Sequence, residues 1–208
     1  MILFFHAAAV SLAATQAAIE RTRTRLPVRH ALATGLVDPR AMNFAHDEID
    51  YARIRTALGG HLRGDETRVV LSCSVYNGFA PRLEADLGIA VERSDDAGAR
   101  AVLAHGPRVG LAVSYPPSYE VVEAHLVALA RDDGRDVEIA ALLAENAFAF
   151  ADDAARYARA LVDAVTTAPE VDSIFLAQYS MDPFIPVVAE ATRVPVVGAL
   201  GATLASLR

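Results

Sequence analysis

The chain has 208 residues, 53% of them apolar and 22% charged, and a formal charge of −7 at pH 7. Such a composition belongs to a well-buried globular protein with one large core or two small lobes, and its acidity argues against nucleic acid or an anionic membrane as partner. All 19 basic residues are arginine, which closes lysine Schiff-base chemistry, pyridoxal phosphate anchoring and a Walker A lysine, and the single cysteine excludes an internal disulfide and points to a reducing, cytoplasmic setting.

In chain order, apolar runs of strand length alternate with segments of helical period. ILFF at 2–5 predicts a strand, followed by an alanine-rich helix to about residue 25. The same opening stretch resembles a secretory signal, but it lacks a positive start and is interrupted by His6. LPVRHAL reads as the next strand, then a polar loop and a helix over 47–62. TRVVLSC, a helix near 80–86, GIAV and a helix over 95–104 complete the first half. The second half repeats the plan with RVGLAVS, a helix over 117–131, VEIAALL and a helix over 151–165. It closes with VDSIFLA, a helix over 184–191, VPVVG and a short terminal helix. No apolar run reaches the roughly 20 residues of a membrane span.

Strand–helix alternation at this spacing predicts an α/β fold of two similar lobes, each a parallel sheet flanked by helices. The expected division is 1–98 plus 199–208 for one lobe and 99–198 for the other. Prolines 116, 117, 183 and 186 mark the expected hinge regions. Laying TRVVLSCSVY over VDSIFLAQYS places Cys73 and Gln178 at equivalent strand ends. Open α/β sheets bind ligands beyond the carboxyl ends of their strands. An inter-lobe cleft with Cys73 on one wall and Gln178 on the other is therefore expected.

Cys73 reads either as a small core thiol or as a reactive group. Ser74, Tyr76 and Asn77 follow it as a helix start requires, and a helix N-terminus lowers a thiol pKa. His6 ends the first strand, where it is either a second base in the cleft or a satisfied core histidine. Ser94, Asp95 and Asp96 are either a cleft-facing turn or a helix cap. Asn43, His46, Asp47 and Glu48 form a polar cluster that reads chiefly as cap and solvated face. The histidines at 6, 30, 46, 61, 105 and 125 lack metal-ligand spacing, so no metal is expected. Gly198 and Gly201 are either a simple helix entry or a source of free amides for a carboxylate or phosphate.

SCSVYNG after one strand, AQYSMDP after another and RVGLAVSYPPSY between them resemble the aspartate/glutamate/hydantoin racemase superfamily. The likeness extends from the opening FHA to the closing PVVGALGATLASLR. It implies two α/β lobes around an active site, often in a homodimer, with cofactor-independent proton chemistry beside a carboxylate. Two-thiol members of the group remove a proton on one face and deliver one on the other. Here Gln178 replaces the second thiol and has no useful pKa, so symmetrical racemisation is closed. One-thiol decarboxylases of the group protonate an enediolate, although their thiol generally belongs to the second lobe.

The resemblance therefore implies an isomerase-type or decarboxylase enzyme acting on a small carboxylate, with Cys73 as acid/base and Gln178 opposite. Substrate-binding candidates are His6, Ser74, Val75, Asp95, Ser114, Tyr115, Tyr179 and Ser180, with Tyr115 in the place of a carboxylate-binding tyrosine. A non-catalytic carboxylate-binding protein of the same fold is the alternative. A hydrolase using Cys73 as nucleophile lacks a visible histidine and acid partner.

Overall fold

The computed structural model describes residues 1–22, 26–37, 44–144 and 147–208. Among these, two four-stranded parallel sheets form the frame. The first holds β1 (Ile2–His6), β2 (Val28–Leu32), β3 (Arg68–Leu71) and β4 (Ala90–Arg93) in the order β2-β1-β3-β4. The second holds β5 (Arg108–Val113), β6 (Glu138–Leu143), β7 (Ser173–Leu176) and β8 (Val196–Gly198) in the order β6-β5-β7-β8. The expected two-lobed α/β architecture is present. Asn43 and the last residues of the first expected helix, 23–25, lie outside the described residues.

The helices fill the intervals: α1 (Ala9–Thr22), α2 (Glu48–His61), α3 (Ala80–Leu87) and α4 (Asp96–Leu103) in the first half, then α5 (Tyr119–Asp132), α6 (Ala154–Thr166), α7 (Ile185–Thr192) and α8 (Ala199–Ser206). Local chemistry sets their ends. The Asp47 carboxylate accepts from the Ile49 and Asp50 amides at the start of α2, and Asp153 accepts from Arg156 at the start of α6. Gly88 closes α3 in the left-handed region with φ 67°. Arg193 closes α7 in the same way at φ 59°. The prolines expected at hinges stand instead at or near helix starts. Pro116 and Pro117 open a 3-10 turn, and Pro186 sits in the first turn of α7, where a missing N–H costs nothing.

The apolar strands sort by the period of two that a pleated strand imposes. Phe4, Val70, Val109, Leu111, Val113 and Phe175 point into one core between the two sheets. Leu3, Phe5, Val69 and Leu71 face the outer helices of the first lobe, and Ala112, Ile174 and Leu176 those of the second. Central parallel strands are buried on both faces, which is why they read as continuous apolar runs. Gly98 lets α4 approach closely: a Cβ there would meet Phe175 at 2.5 Å and the Ala199 backbone at 3.1 Å. Through that contact α4 and α8 pack together between the lobes.

In each sheet the strand order reverses between the first and third strands, at β1/β3 and at β5/β7. Crevices form at such switch points. Cys73 follows β3 and Gln178 follows β7, each leading a six-residue 3-10 helix, Ser74–Phe79 and Tyr179–Phe184. These turns cut the expected strands short, so β3 stops at Leu71 and β7 at Leu176. The same sequence offset relates Cys73 to Gln178, Pro81 to Pro186 and Gly88 to Arg193. The repeat therefore extends to the caps.

Candidate active site

The two strand ends meet. A cavity of about 30 Å³ is lined by Ser72, Cys73 and Ser74 from the first lobe and by Gln178, Tyr179 and Ser180 from the second, with Ala8, Ser11 and Phe148 completing the wall. That volume is on the order of one water molecule. None of these side chains carries a charge at neutral pH apart from what Cys73 itself can develop. A carboxylate seated here would be held by neutral donors alone.

Cys73 is half-buried and leads into its 3-10 helix from an extended backbone, φ −114° and ψ 114°. Burial pushes its thiol up to about 12, while a hydrogen bond from the Val75 amide pulls weakly the other way. The expected lowering by a helix N-terminus does not occur. One amide reaches the sulfur, no cation is among the described residues lining the cavity, and desolvation of the charged form wins. At pH 7 the group is a thiol, which makes it a proton donor and a poor base.

Gln178 has nearly the same backbone, φ −121° and ψ 138°, but its side chain is anchored. Its Oε1 accepts from the Ser114 amide at 2.6 Å and from the Ser114 hydroxyl at 2.8 Å, and its Nε2 donates to Ser118 at 3.4 Å. Because the Ser114 proton is committed to Gln178, the Tyr157 hydroxyl donates to Ser114 at 2.8 Å and Ser180 donates to Tyr157 at 3.1 Å. This chain fixes which end of the amide is oxygen. It also leaves the lone pairs of Ser180 as the end of the network at the cavity.

Unmet polar groups stand on both sides, the Tyr179 hydroxyl in the second lobe and two hydroxyls in the first. The Ser74 hydroxyl, in a residue only 3% exposed, has no partner, and neither does the hydroxyl of fully buried Tyr76. A buried donor without a partner costs about 1–3 kcal/mol, and Ser74 is one of the residues lining the cavity. Tyr76 is pushed above the usual phenol range by burial and then by the nearby Cys73.

Several expected site residues lie elsewhere. His6 is fully buried, 2.7 Å from Ser72 Oγ through Nδ1 and 3.0 Å from His30 Nδ1 through Nε2. Desolvation, reinforced by His30, lowers it to about 3. It is the satisfied core histidine, one residue removed from the cavity behind Ser72. Val75 is sealed in the first-lobe core, and only its amide touches the sulfur. Asp95 is fully buried in a two-pronged pair with Arg93, at 2.8 and 2.9 Å, and does not reach the cavity. Its neighbours are also engaged, Ser94 with Asn77 and Asp96 with Arg100 and His125. Ser114 is buried behind Gln178, and the Tyr115 ring packs against Phe148 at 5.6 Å outside the lining. Tyr179 lines the cavity but turns its ring into the inter-lobe core, its hydroxyl beside Thr203.

The polar cluster before α2 is cap and surface: Asp47 caps, Glu48 pairs with Arg82, and His46 Nε2 lies 3.1 Å from the Pro117 carbonyl. The amides expected to be free near Gly198 and Gly201 are taken. Asp182 accepts from Leu200 at 3.0 Å and Gly201 at 2.7 Å, and its carboxyl is raised by burial to about 6. Ser11, Ser72, Phe148 and Tyr157 are site or supporting residues that sequence reasoning missed. Ser72 alone had a signal, a hydroxyl directly before the only cysteine.

No protein-family model matches the sequence, and no curated protein sequence matches it. Solved structures do. A glutamate racemase from Bacillus anthracis superposes over 100% of this chain and 79% of its own, with a TM-score of 0.76 at 12% identity. An allantoin racemase from Pseudomonas fluorescens covers 100% of this chain and 89% of its own, with a TM-score of 0.70 at 15% identity. A maleate isomerase from Pseudomonas putida reaches a TM-score of 0.61 at 19% identity, covering 100% of this chain and 90% of its own. The chain thus has the two-lobed fold of the aspartate/glutamate racemase superfamily. At such identities the likeness speaks for the fold, and the chemistry rests on the residues.

Proposed function

We propose that this chain is a cofactor-independent enzyme of the aspartate/glutamate racemase superfamily that protonates the carbon beside a carboxylate, with Cys73 as the proton donor. Structures similar to it include racemases, an isomerase and an arylmalonate decarboxylase, so the fold is found with racemase, isomerase and decarboxylase activities. The observation that carries the reading is the chain's one thiol and an anchored amide lining the same cavity from opposite lobes. A thiol raised by burial stays protonated at neutral pH and is still far more acidic than the C–H bond that would form. Gln178 cannot return a proton from the other face. One-sided protonation therefore fits a decarboxylation, in which loss of carbon dioxide makes the carbanion and no base is needed, better than a two-base racemisation.

In this mechanism the substrate carboxylate is bound by the Ser74 hydroxyl and the remaining N–H of Gln178. Loss of carbon dioxide from a second carboxylate on the same carbon breaks the C–C bond and leaves its electron pair as an enediolate, whose growing charge those neutral donors stabilise. The Cys73 S–H bond breaks as the new C–H bond forms, leaving a thiolate that regains its proton from solvent. Incubating the enzyme with a panel of small carboxylic acids in deuterated water, with mass spectrometry, tests the reading. At least one malonate-type acid should lose carbon dioxide and give a product carrying deuterium beside its remaining carboxylate, and Cys73→Ala should stop it without changing the fold. Undiminished incorporation by that variant would remove Cys73 from the mechanism.

A non-catalytic carboxylate binder is the second reading, favoured by the same high thiol pKa and the loss of a second thiol. It expects saturable binding of an acid with no deuterium incorporation into any member of the panel.

A further inference from the structure

Among the described residues, two that are not glycine have a positive φ, His46 at 56° and Arg193 at 59°. Arg193 closes α7, a common use of the left-handed region. His46 closes no helix and stands just before the Asp47 cap of α2. A residue with a Cβ is uncommon in that region and needs its surroundings to hold it there. The holder is Asp50, a buried residue whose Oδ2 accepts from the Ala45 amide at 2.9 Å and from the His46 amide at 3.1 Å.

The conformation sets the imidazole between the elements that carry the two walls of the Cys73 cavity. The ring lies edge-on to Phe44 at 4.9 Å and 6.3 Å from the ring of Phe79, the last residue of the 3-10 helix that Cys73 leads. Its Nε2 is 3.1 Å from the Pro117 carbonyl in the second lobe. A carbonyl only accepts, so Nε2 carries the proton and donates. Pro117 belongs to the turn that grips Gln178. Ser114 donates to the Gln178 Oε1, and Ser118 accepts from its Nε2. Ser118 also bonds back to the Tyr115 carbonyl, through its amide at 3.0 Å and its hydroxyl at 2.6 Å. A turn closed on itself in this way moves as a unit, so a pull on Pro117 reaches Gln178.

We propose that His46 is a positioning residue of the Cys73–Gln178 centre. It acts through Phe79 and Pro117: by packing on the helix that Cys73 leads and donating to the turn that holds Gln178, it sets the separation of two walls that come from different lobes. Its part in the reaction rests on the reading of Cys73 as the proton donor, whereas the link between the lobes does not.

Amide hydrogen exchange on the intact chain reads that link without a substrate. His46→Phe keeps a ring against Phe44 and Phe79 and removes the N–H donor. The Ser114 amide, held by Gln178, should then exchange at least about tenfold faster. The Tyr76 amide, held by the Cys73 carbonyl, and the Ile174 amide, held by the Pro195 carbonyl, should keep their rates. Asp50→Ala, which frees the amides of Ala45 and His46, should loosen Ser114 as well. A Ser114 rate unchanged in both variants, or one that rises only together with those of Tyr76 and Ile174, would overturn the link. In turnover of a malonate-type acid, His46→Phe should raise KM more than it lowers kcat, because Gln178 binds the carboxylate and Cys73 still donates. A fall in kcat alone would contradict the positioning role. Faster Ser114 exchange in a chain that turns over no acid keeps the link and removes the reaction. Turnover that Cys73→Ala abolishes, with Ser114 unmoved in both variants, does the reverse.

Discussion

The ends of β3 and β7 share a backbone and differ in almost everything chemical. Each strand runs into an extended residue, a six-residue 3-10 helix, a proline in the first turn of an eight-residue helix and a left-handed cap. On that common frame the second lobe places Gln178, locked by Ser114, Ser118 and the hydroxyls of Tyr157 and Ser180. The first lobe places Cys73, with the unpartnered hydroxyls of Ser74 and Tyr76 beside it. The repeat keeps the backbone geometry, while the Gln178 side chain is anchored and the Ser74 and Tyr76 hydroxyls beside Cys73 are not.

The largest expected effect concerns the ion pair that only the first lobe has. Arg93 binds the fully buried Asp95 and also donates to the carbonyls of Asn77 and Val121, whereas the equivalent of Asp95 in the second lobe is Leu200. Arg93→Ala leaves a buried charge unpaired and should lower the unfolding free energy by about 3–5 kcal/mol. Combining it with Asp95→Leu, which imitates the second lobe, should recover much of that loss. Chemical denaturation of both variants checks it. An equal loss in the double variant would show that the two lobes are not comparable there.

Next in size is the effect on turnover. Cys73→Ser keeps the shape but lacks a usable acid, and deuterium incorporation should fall at least about a hundredfold. Gln178→Ala removes an anchored donor, so it should weaken carboxylate binding and leave the proton source in place. A larger loss of rate from Gln178→Ala than from Cys73→Ser would invert the roles of the walls.

Acid stability should separate the lobes by sign. His6 has its folded pKa lowered from 6.5 to about 3, so its contribution is present above pH 6.5 and is lost as pH falls toward 3. Asp182 has its folded pKa raised from 3.8 to about 6. Its contribution is present below pH 3.8 and is lost as pH rises through 6. Between about pH 6 and pH 4 the two oppose each other. Asp182→Asn should therefore make stability fall more steeply on acidification, as read by denaturant midpoints across that range. A shallower fall would contradict the assignment.

The smallest expected effect is on stability, from Ser74→Ala. Removing a hydroxyl that already lacks a partner should change the unfolding free energy by no more than about 1 kcal/mol. Carboxylate binding should nevertheless weaken measurably in the same variant.

The architecture was legible because its signals are local and repeated. Continuous apolar runs mark strands buried on both faces, and the segments between them carry caps such as Asp47 and Asp153. The pairing of Cys73 with Gln178 followed from laying one half over the other, and both line the cavity. What failed to show was direction and company. Asp95 and His6 looked free in sequence because their partners, Arg93, Ser72 and His30, are identified by space and by side-chain orientation. Tyr157 sits on a helix that reads as ordinary core, and its hydroxyl matters only because Ser114 and Ser180 converge on it. The thiol's pKa was misjudged for a related reason. A helix start is visible in sequence, whereas the uncharged set of described residues around the sulfur is visible only in the fold.

The protonation state of the chain's single cysteine is the point on which the mechanism turns. With carbon-13 in the cysteine β-carbon, one NMR signal reports Cys73 alone. That signal should hold its thiol position from about pH 6 to about pH 10, well past the titration of a free cysteine near 8.5. A shift to the thiolate position with a midpoint below about 8 would mean that Cys73 is a base at neutral pH, and that the proton reaches the substrate from somewhere else.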